Sequence, residues 1–320
     1  MHGLNHDAQI VTQHLAKRLI YLCRESATPQ APFKINDDGT FTLTGVDHTG
    51  MTDNTANIQS AINSIFDNYG GGYLWLPRPG NYQSNGLIMK GSVTLRGHGS
   101  RNTLLGSVAN NVNQITFDTS VQQGGLRDLF IAGHQSATST SNAVTVPDNV
   151  PVIIRDCYIW GGSSALYTRG TDGTIDNCFI LGWGFANIVS NGANWYKRVK
   201  ADTSDNPVQH GFYQGTPVPV GPPGSVMENH FEQCDFSGNF QKSVSIFDGD
   251  SHTAISIFEG CVFSSPIDLR QAMHTSFIGC EFGADDFIPG NGTLSIVGSV
   301  KLGTTLLIPG GAKAGNINIT

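Results

Sequence analysis

Apolar residues along this chain come in short runs that alternate with polar ones or are rich in β-branched side chains. Gly, Asn and Asp close almost every run. Alternation places successive side chains on opposite faces of a strand, so the pattern predicts many short strands rather than helices. Helical spacing is confined to an N-terminal stretch with Ile10, Leu15, Leu19 and Leu22, and to Ile58, Ile62 and Ile65.

One phrase recurs. It reads Ile154-Arg-Asp-Cys157-Tyr-Ile159, then Ile175-Asp-Asn-Cys178-Phe-Ile180, Phe231-Glu-Gln-Cys234-Asp-Phe236, Phe258-Glu-Gly-Cys261-Val-Phe263 and Phe277-Ile-Gly-Cys280-Glu-Phe282. A sixth copy, Leu126-Arg-Asp-Leu129-Phe-Ile131, has Leu for Cys. Cys and the apolar residue two places on share a face, and the residue before Cys breaks the alternation. That position is Asp128, Asp156, Asn177, Gln233, Gly260 and Gly279 in turn. Five of the six are types that tolerate left-handed backbone or bond locally to the chain, as a tight bend between strands requires. Successive cysteines lie 21, 56, 27 and 19 residues apart (178−157, 234−178, 261−234, 280−261). Steps near twenty match one coil of a solenoid, and 56 matches two coils with an insertion. Cys then acts as a small buried apolar side chain stacked in a ladder, in preference to a disulfide partner. Cys23 stands outside the repeat. No C-x-x-C or H-x-x-x-H spacing points to a metal site.

The segment Gly45-Val-Asp47-His-Thr-Gly50-Met-Thr52-Asp53-Asn54-Thr55-Ala-Asn-Ile58-Gln59-Ser-Ala61-Ile62 resembles the opening G-D-G-x-T-D-D-T-x-A-I-Q-x-A-I of pectate-lyase-superfamily and phage tailspike β-helices. Gly70-Gly-Gly72-Tyr-Leu74-Trp-Leu76-Pro77-Arg-Pro-Gly80-Asn-Tyr82 is similar to their G-G-G-x-V-x-L-P-x-G-x-Y, and Val93-Thr-Leu95-Arg-Gly97-His-Gly99 to their first complete coil. Opening and repeat together cover about residues 41–300. The resemblance implies an all-β, right-handed parallel β-helix over 41–320, behind an N-terminal helical segment and linker over 1–40. A short helix capped by Thr52 or Asp53 would cover the open end of the solenoid. Residues Ala8 to Arg24 would form an outer helix that attaches to a particle, supports a trimer or packs on the solenoid, with Ala27–Pro32 as linker.

A net charge of −7 with only 13% charged residues argues against nucleic acid as the main partner, and Lys197, Arg198 and Lys200 make one small basic cluster. No apolar run is long enough for a bilayer span. No signal peptide follows Lys17 and Arg18. These features, with the resemblance, imply a homotrimeric tailspike-type protein of a virion tail, or an extracellular protein, that binds and can depolymerise a bacterial surface polysaccharide. A free-standing polysaccharide lyase or hydrolase and a non-catalytic adhesin stay open beside it, because this superfamily carries all three.

Several motifs invite a catalytic reading. Gly97-His98-Gly99 and Arg198-Val199-Lys200 are similar to polygalacturonase motifs, but the first falls too early in the chain and reads as a turn. Asp128 and Asp156 sit at the bend of the repeat, where backbone bonding explains them. None of the histidines has a Ser or Cys at triad spacing. By the resemblance, the glycan groove lies on the outer face of the strand after the Cys strand. That places Tyr167, Arg169, Asn187, Phe247, Asp268 and Arg270 outward, with Asp172, Asp248 and Asp250 at nearby turns. Asp248 and Asp268 are one coil apart, a spacing that suits a hydrolytic carboxylate pair, with Asp250 beside it. A lyase would instead need a base beside a uronic acid, with calcium as a possible aid and no other cofactor implied. Trp183, Trp195, Tyr167, Arg169 and Arg270 are the expected sugar contacts, with Trp160 and Tyr196 grouped nearby. The stretch Asp202 to Gly224, rich in proline, is expected to be a long loop walling a cleft.

Overall fold

The computed structural model describes residues 32–107, 109, 111–134, 141–203, 208–215, 226–247, 253–269, 272, 274–283, 287–288, 292–298 and 317–319. Each coil contributes one strand to each of three sheets, which hold 13, 10 and 9 strands among those residues. Within one coil the chain passes from Ile153–Arg155 in the first sheet to Tyr158–Trp160 in the second and Ser164–Thr168 in the third. It then re-enters the first sheet at Thr171–Asp176. Among the described residues the strands of successive coils pair in parallel, with one isolated antiparallel bridge between Asn142 and Gly162, and an antiparallel strand pair, Phe33–Ile35 with Phe41–Leu43, opens the first sheet. The sheet therefore starts at Phe33, eight positions before the expected boundary (41−33). The fold is a parallel β-helix, and crossovers between parallel strands are right-handed as a rule.

Register turns the repeat phrase into columns. Tyr196, Phe231, Phe258 and Phe277 stack in the core with ring centroids 4.6, 4.6 and 5.0 Å apart. Across the bend, Phe236, Phe263 and Phe282 form a second stack at 5.5 and 5.4 Å. The two columns meet edge to face at 5.8, 5.4 and 5.2 Å, a geometry that aromatic quadrupoles favour. Between them Cys157, Cys178, Cys234, Cys261 and Cys280 are free thiols, all buried. The Sγ–H of Cys234, for example, donates to the carbonyl of Tyr196 one coil back. Burial pushes the Cys261 thiol well above its usual range. Cys23 lies outside the described residues.

The bend itself is left-handed: φ is 56° at Asp128, 57° at Asp156, 51° at Asn177, 54° at Gln233, 60° at Gly260 and 59° at Gly279. Arg198, at φ 49°, occupies the same place. Tyr196-Lys-Arg198-Val199-Lys-Ala201 is therefore a further copy of the repeat, with buried Val199 in the Cys position. The 56-residue gap divides into 21 (199−178) and 35 (234−199).

Helix α1 (Thr55–Tyr69) takes the place of a third-sheet strand in the first coil and buries Ile58, Ala61, Ile62 and Ile65. The side chain of Gln59 bonds to both backbone groups of Ile88, at 2.8 and 2.9 Å, covering the first strand of that sheet as a neighbouring strand would. The N-cap is Asn54, one position beyond the expected residues, and its side chain is turned back onto Asp47. Asp53 accepts from the first helical N–H instead. Asp47 accepts from the Thr49 hydroxyl and from the Thr49, Met51 and Thr52 amides, which together hold its carboxyl down at about 2. No helix among the described residues is long and apolar enough to cross a membrane.

The stretch Asp202 to Gly224 is not one loop. Within it His210–Gly215 is a third-sheet strand, paired with Ala186–Ser190 and Lys242–Phe247. The outer N-terminal helix and its linker up to residue 31 lie outside the described residues.

Candidate functional site

On the third sheet Leu166, Ile188, Phe212, Val244 and Ile267 stack inward in register. Their chain neighbours Tyr167, Val189, Tyr213, Ser245 and Asp268 form the matching outer column. Asp268 thus stands on the expected face, yet it is only 1% exposed. A covered carboxylate needs compensating charge or hydrogen bonds. The imidazole of His210 stands nearby: its Nδ1 lies 2.9 Å from Ser245 Oγ, and the Asp268 charge pulls its pKa upward. Burial outweighs that pull and the Lys242 charge adds to burial, leaving His210 at about 4. Ordinary histidine titrates near 6.5, so His210 is neutral at pH 7 and able to accept a proton.

Rings frame the cluster. Phe185 lies 5.0 Å from His210 and 4.7 Å from Tyr213, and His210 and Tyr213 are 5.1 Å apart. Burial raises the Tyr213 phenol. Two strands back Tyr167 is half-buried on the same face. A carboxylate, a neutral imidazole, a hydroxyl and half-buried rings on one sheet can hold a sugar ring and move a proton at its oxygen or carbon.

The other expected contacts among the described residues are dispersed along the coil. Arg169, just after its strand, forms a two-pronged ion pair with Asp148 at 2.6 Å. Trp195 is 46% exposed on the outer face of the first sheet, stacked on His230 at 4.2 Å. His230 in turn bonds Glu228 at 2.7 Å. Trp183 packs against Trp160 at 6.0 Å where the second sheet turns into the third. Asn187, expected outward, is buried: its side chain accepts from the Gly182 amide and donates to the Asp202 carbonyl, stitching two turns together. Tyr196 is core. Asp248, Asp250, Arg270 and the Phe247 side chain lie outside the described residues. Among the described residues no group of three or more His, Cys, Asp or Glu side chains is arranged to hold a metal ion.

The motif readings resolve structurally. His98 Nε2–H donates to the carbonyl of Leu76 at 2.8 Å, which makes Gly97-His98-Gly99 a turn that ties two coils. Asp128 accepts from Arg96 at 2.9 Å, and Asp156 accepts from Asn177 at 2.7 Å. Arg198 pairs with Asp176, Lys197 with Glu232 and Lys200 with Asp202 and Asp235, so the basic cluster is neutralised in place.

No family model matches the chain. A stretch of 122 residues is 28% identical to the tail spike protein of Shigella phage Sf6, covering 36% of this chain and 19% of that protein. The full-length tailspike protein 2 of an Escherichia coli O157:H7 bacteriophage superposes with a TM-score of 0.62 at 13% identity, over 92% of this chain and 44% of that one. The A-module of mannuronan C-5 epimerase AlgE4 from Azotobacter vinelandii superposes at 0.53 with 17% identity, over 79% and 74%. The chain spans under half the length of the tailspikes it matches. It is a tailspike-like parallel β-helix.

Proposed function

We propose that the chain is the β-helical part of a tailspike-type protein that grips a bacterial surface polysaccharide on the outer face of the third sheet and cleaves it there. The observation that carries this reading is Asp268, held outward but covered, beside Ser245 and the neutral imidazole of His210. The solved tailspike 2 fragment that superposes at a TM-score of 0.61 is described as the enzymatically active domain of that protein, which supports cleavage here. Hydrolysis pairs Asp268 with a carboxylate from the Asp248–Asp250 segment one coil away. One carboxyl protonates the leaving oxygen and the other assists water or attacks the sugar.

The lowered His210 favours a second chemistry, β-elimination, with imidazole as base and calcium or Lys242 facing a uronate. Tyr167, Arg169, Trp183, Trp195 and Arg270 belong to the proposed sugar contacts only so far as they border this face. Tyr167 does, whereas Trp195 stands on another sheet. A homotrimer in a virion tail is part of the same proposal.

The test is incubation of the chain with a panel of purified O-polysaccharides and capsules, followed by size-exclusion chromatography with light scattering. The reading expects a trimeric mass, a bound polymer that shortens, and an Asp268→Asn variant that binds without shortening. Ultraviolet absorbance from an unsaturated product separates elimination from hydrolysis. A monomer that neither binds nor shortens any polymer overturns it.

A further inference from the structure

The outer face of the second sheet carries a second constellation, apart from the His210 cluster. Two outward columns run side by side on it. One is Asn81, Leu104, Phe130, Tyr158 and Phe179 in register, and the other is Gln83, Gly106, Ala132, Trp160 and Leu181. Phe130 meets Tyr158 edge to face at 4.5 Å, and Tyr158 stacks flat on Phe179 at 4.9 Å. In the second column Gly106 and Ala132 are small while Gln83 and Trp160 flank them. The difference in size opens a cavity of about 350 Å³. Its rim includes Asn81, Gln83, Leu104, Ser107 and His134. That volume lies within the roughly 300–1,000 Å³ of small-molecule sites.

Three buried polar atoms have no hydrogen-bond partner among the described residues: Asn81 Oδ1 and His134 Nδ1 on the rim of this cavity, and Trp160 Nε1 on the adjoining coil. Buried polar atoms are normally satisfied, and three orphans around one concavity mark a place where an outside molecule completes the bonding. Trp160 joins the cavity through its strand, since it is paired with Ala132 and its carbonyl accepts from Gly133 at 2.7 Å. The missing partners are an acceptor for the indole N–H and a donor for the amide oxygen, and hydroxyl groups supply both. Phe130 and Trp160, 6.0 Å apart and paired in register with the lining residues Leu104 and Ala132, offer rings beside the cavity for the apolar C–H face of a pyranose. Among the described residues no lining side chain carries a carboxylate, ammonium or guanidinium group.

The geometry points to a second saccharide subsite here, one that takes an uncharged pyranosyl unit, with Trp160 Nε1–H donating to a sugar hydroxyl and Asn81 Oδ1 accepting from another. This inference rests on the polysaccharide-binding reading above. It adds a separate face and a charge class to it.

The chain has four tryptophans, so ¹⁵N-labelled protein gives four indole signals, assigned by single Trp→Phe variants. The probes are methyl glycosides of glucose, galactose, mannose, rhamnose and N-acetylglucosamine, with methyl galacturonoside as the charged comparison. The subsite predicts that at least one neutral glycoside moves the Trp160 signal, with Trp183 following, while Trp75 and Trp195 stay. Trp160→Phe keeps a ring but loses the donor, and Asn81→Leu loses the acceptor; each is expected to weaken binding several-fold. A shift with the uronoside alone overturns the inference, as does a still Trp160 signal across the whole panel. If Trp160 is still but His210 responds, the polysaccharide reading survives and only the subsite fails. If neither responds and no polymer binds, both fail.

Discussion

His210 is held neutral by its surroundings, and that has a measurable consequence for stability. In the folded chain the imidazole titrates at about 4, because burial disfavours its charged form and the Lys242 charge opposes it, with Asp268 offsetting part of both. Unfolded, it titrates near 6.5. Above that value both states are neutral and the group makes stability independent of pH. As pH falls below it the unfolded chain binds a proton that the folded chain refuses, so stability is lost until the folded value is passed. At about 1.4 kcal/mol per unit, the loss between about pH 7.5 and about pH 4.5 comes to ~2–3 kcal/mol. The assay is urea unfolding of the wild type and of His210→Gln at both pH values. Titrations elsewhere cancel in the difference, so the wild type should lose that much more on acidification. NMR titration of the imidazole gives the midpoint directly, and Asp268→Asn should lower it further by removing the one charge that raises it. A wild-type difference that is flat with pH, or a midpoint near 6.5, refutes the description of a buried neutral base.

Phe258→Ala removes a ring stacked between Phe231 and Phe277, and should cost about 3–5 kcal/mol in urea unfolding. Gly125→Ala would place a methyl 1.9 Å from the Ile153 carbonyl oxygen; it should break the pairing of two coils and lower the thermal midpoint sharply. In a Cys23→Ser background the native protein should not react with a thiol reagent, and urea should release five thiols, those of the buried ladder. Cys261→Val should fold, since Val199 fills the same place two repeats earlier, whereas Cys261→Asp should not.

The coil was legible because its bend needs left-handed backbone, and Asp, Asn, Gln and Gly are unevenly suited to supply it. Six copies showed the bend and the apolar residues on either side. The seventh hid because Arg198 stands in the bend and Val199 in the Cys position. Its absence from the reading had a cost further along. With no strand assigned there, Trp195 and Tyr196 were grouped together with Trp160 and Trp183 around the expected sugar contacts. They are neighbours on one strand, so Trp195 faces out from the first sheet and Tyr196 lies in the core. Asp268 was placed on the correct face because it follows a Cys strand at a short, regular distance. No such distance leads to His210, which reaches Ser245 across 35 residues of chain (245−210) that the proline-rich stretch interrupts.

Strict alternation would have missed His210 even with the strand in hand. Residues 210 and 213 are three apart, so a regular strand sends them to opposite faces, yet their rings lie 5.1 Å from each other on the outer side. Between them Gly211 is buried, and a side chain there would meet the Ser243 carbonyl oxygen at 2.7 Å, while the pairing with both neighbouring strands keeps one register from His210 to Tyr213. Glycine in the interior of a strand weakens it and is kept where a bulge or a close approach demands it. Here it allows the neighbouring backbone to come close while two consecutive outward rings, His210 and Tyr213, are brought side by side. The local signal was therefore present as Gly211 flanked by His and an aromatic pair. It becomes readable only once the third sheet supplies Ser245 and Asp268 on the next two strands. A site built across coils is specified by register between distant segments, and the repeat phrase fixes that register only where no long insertion intervenes.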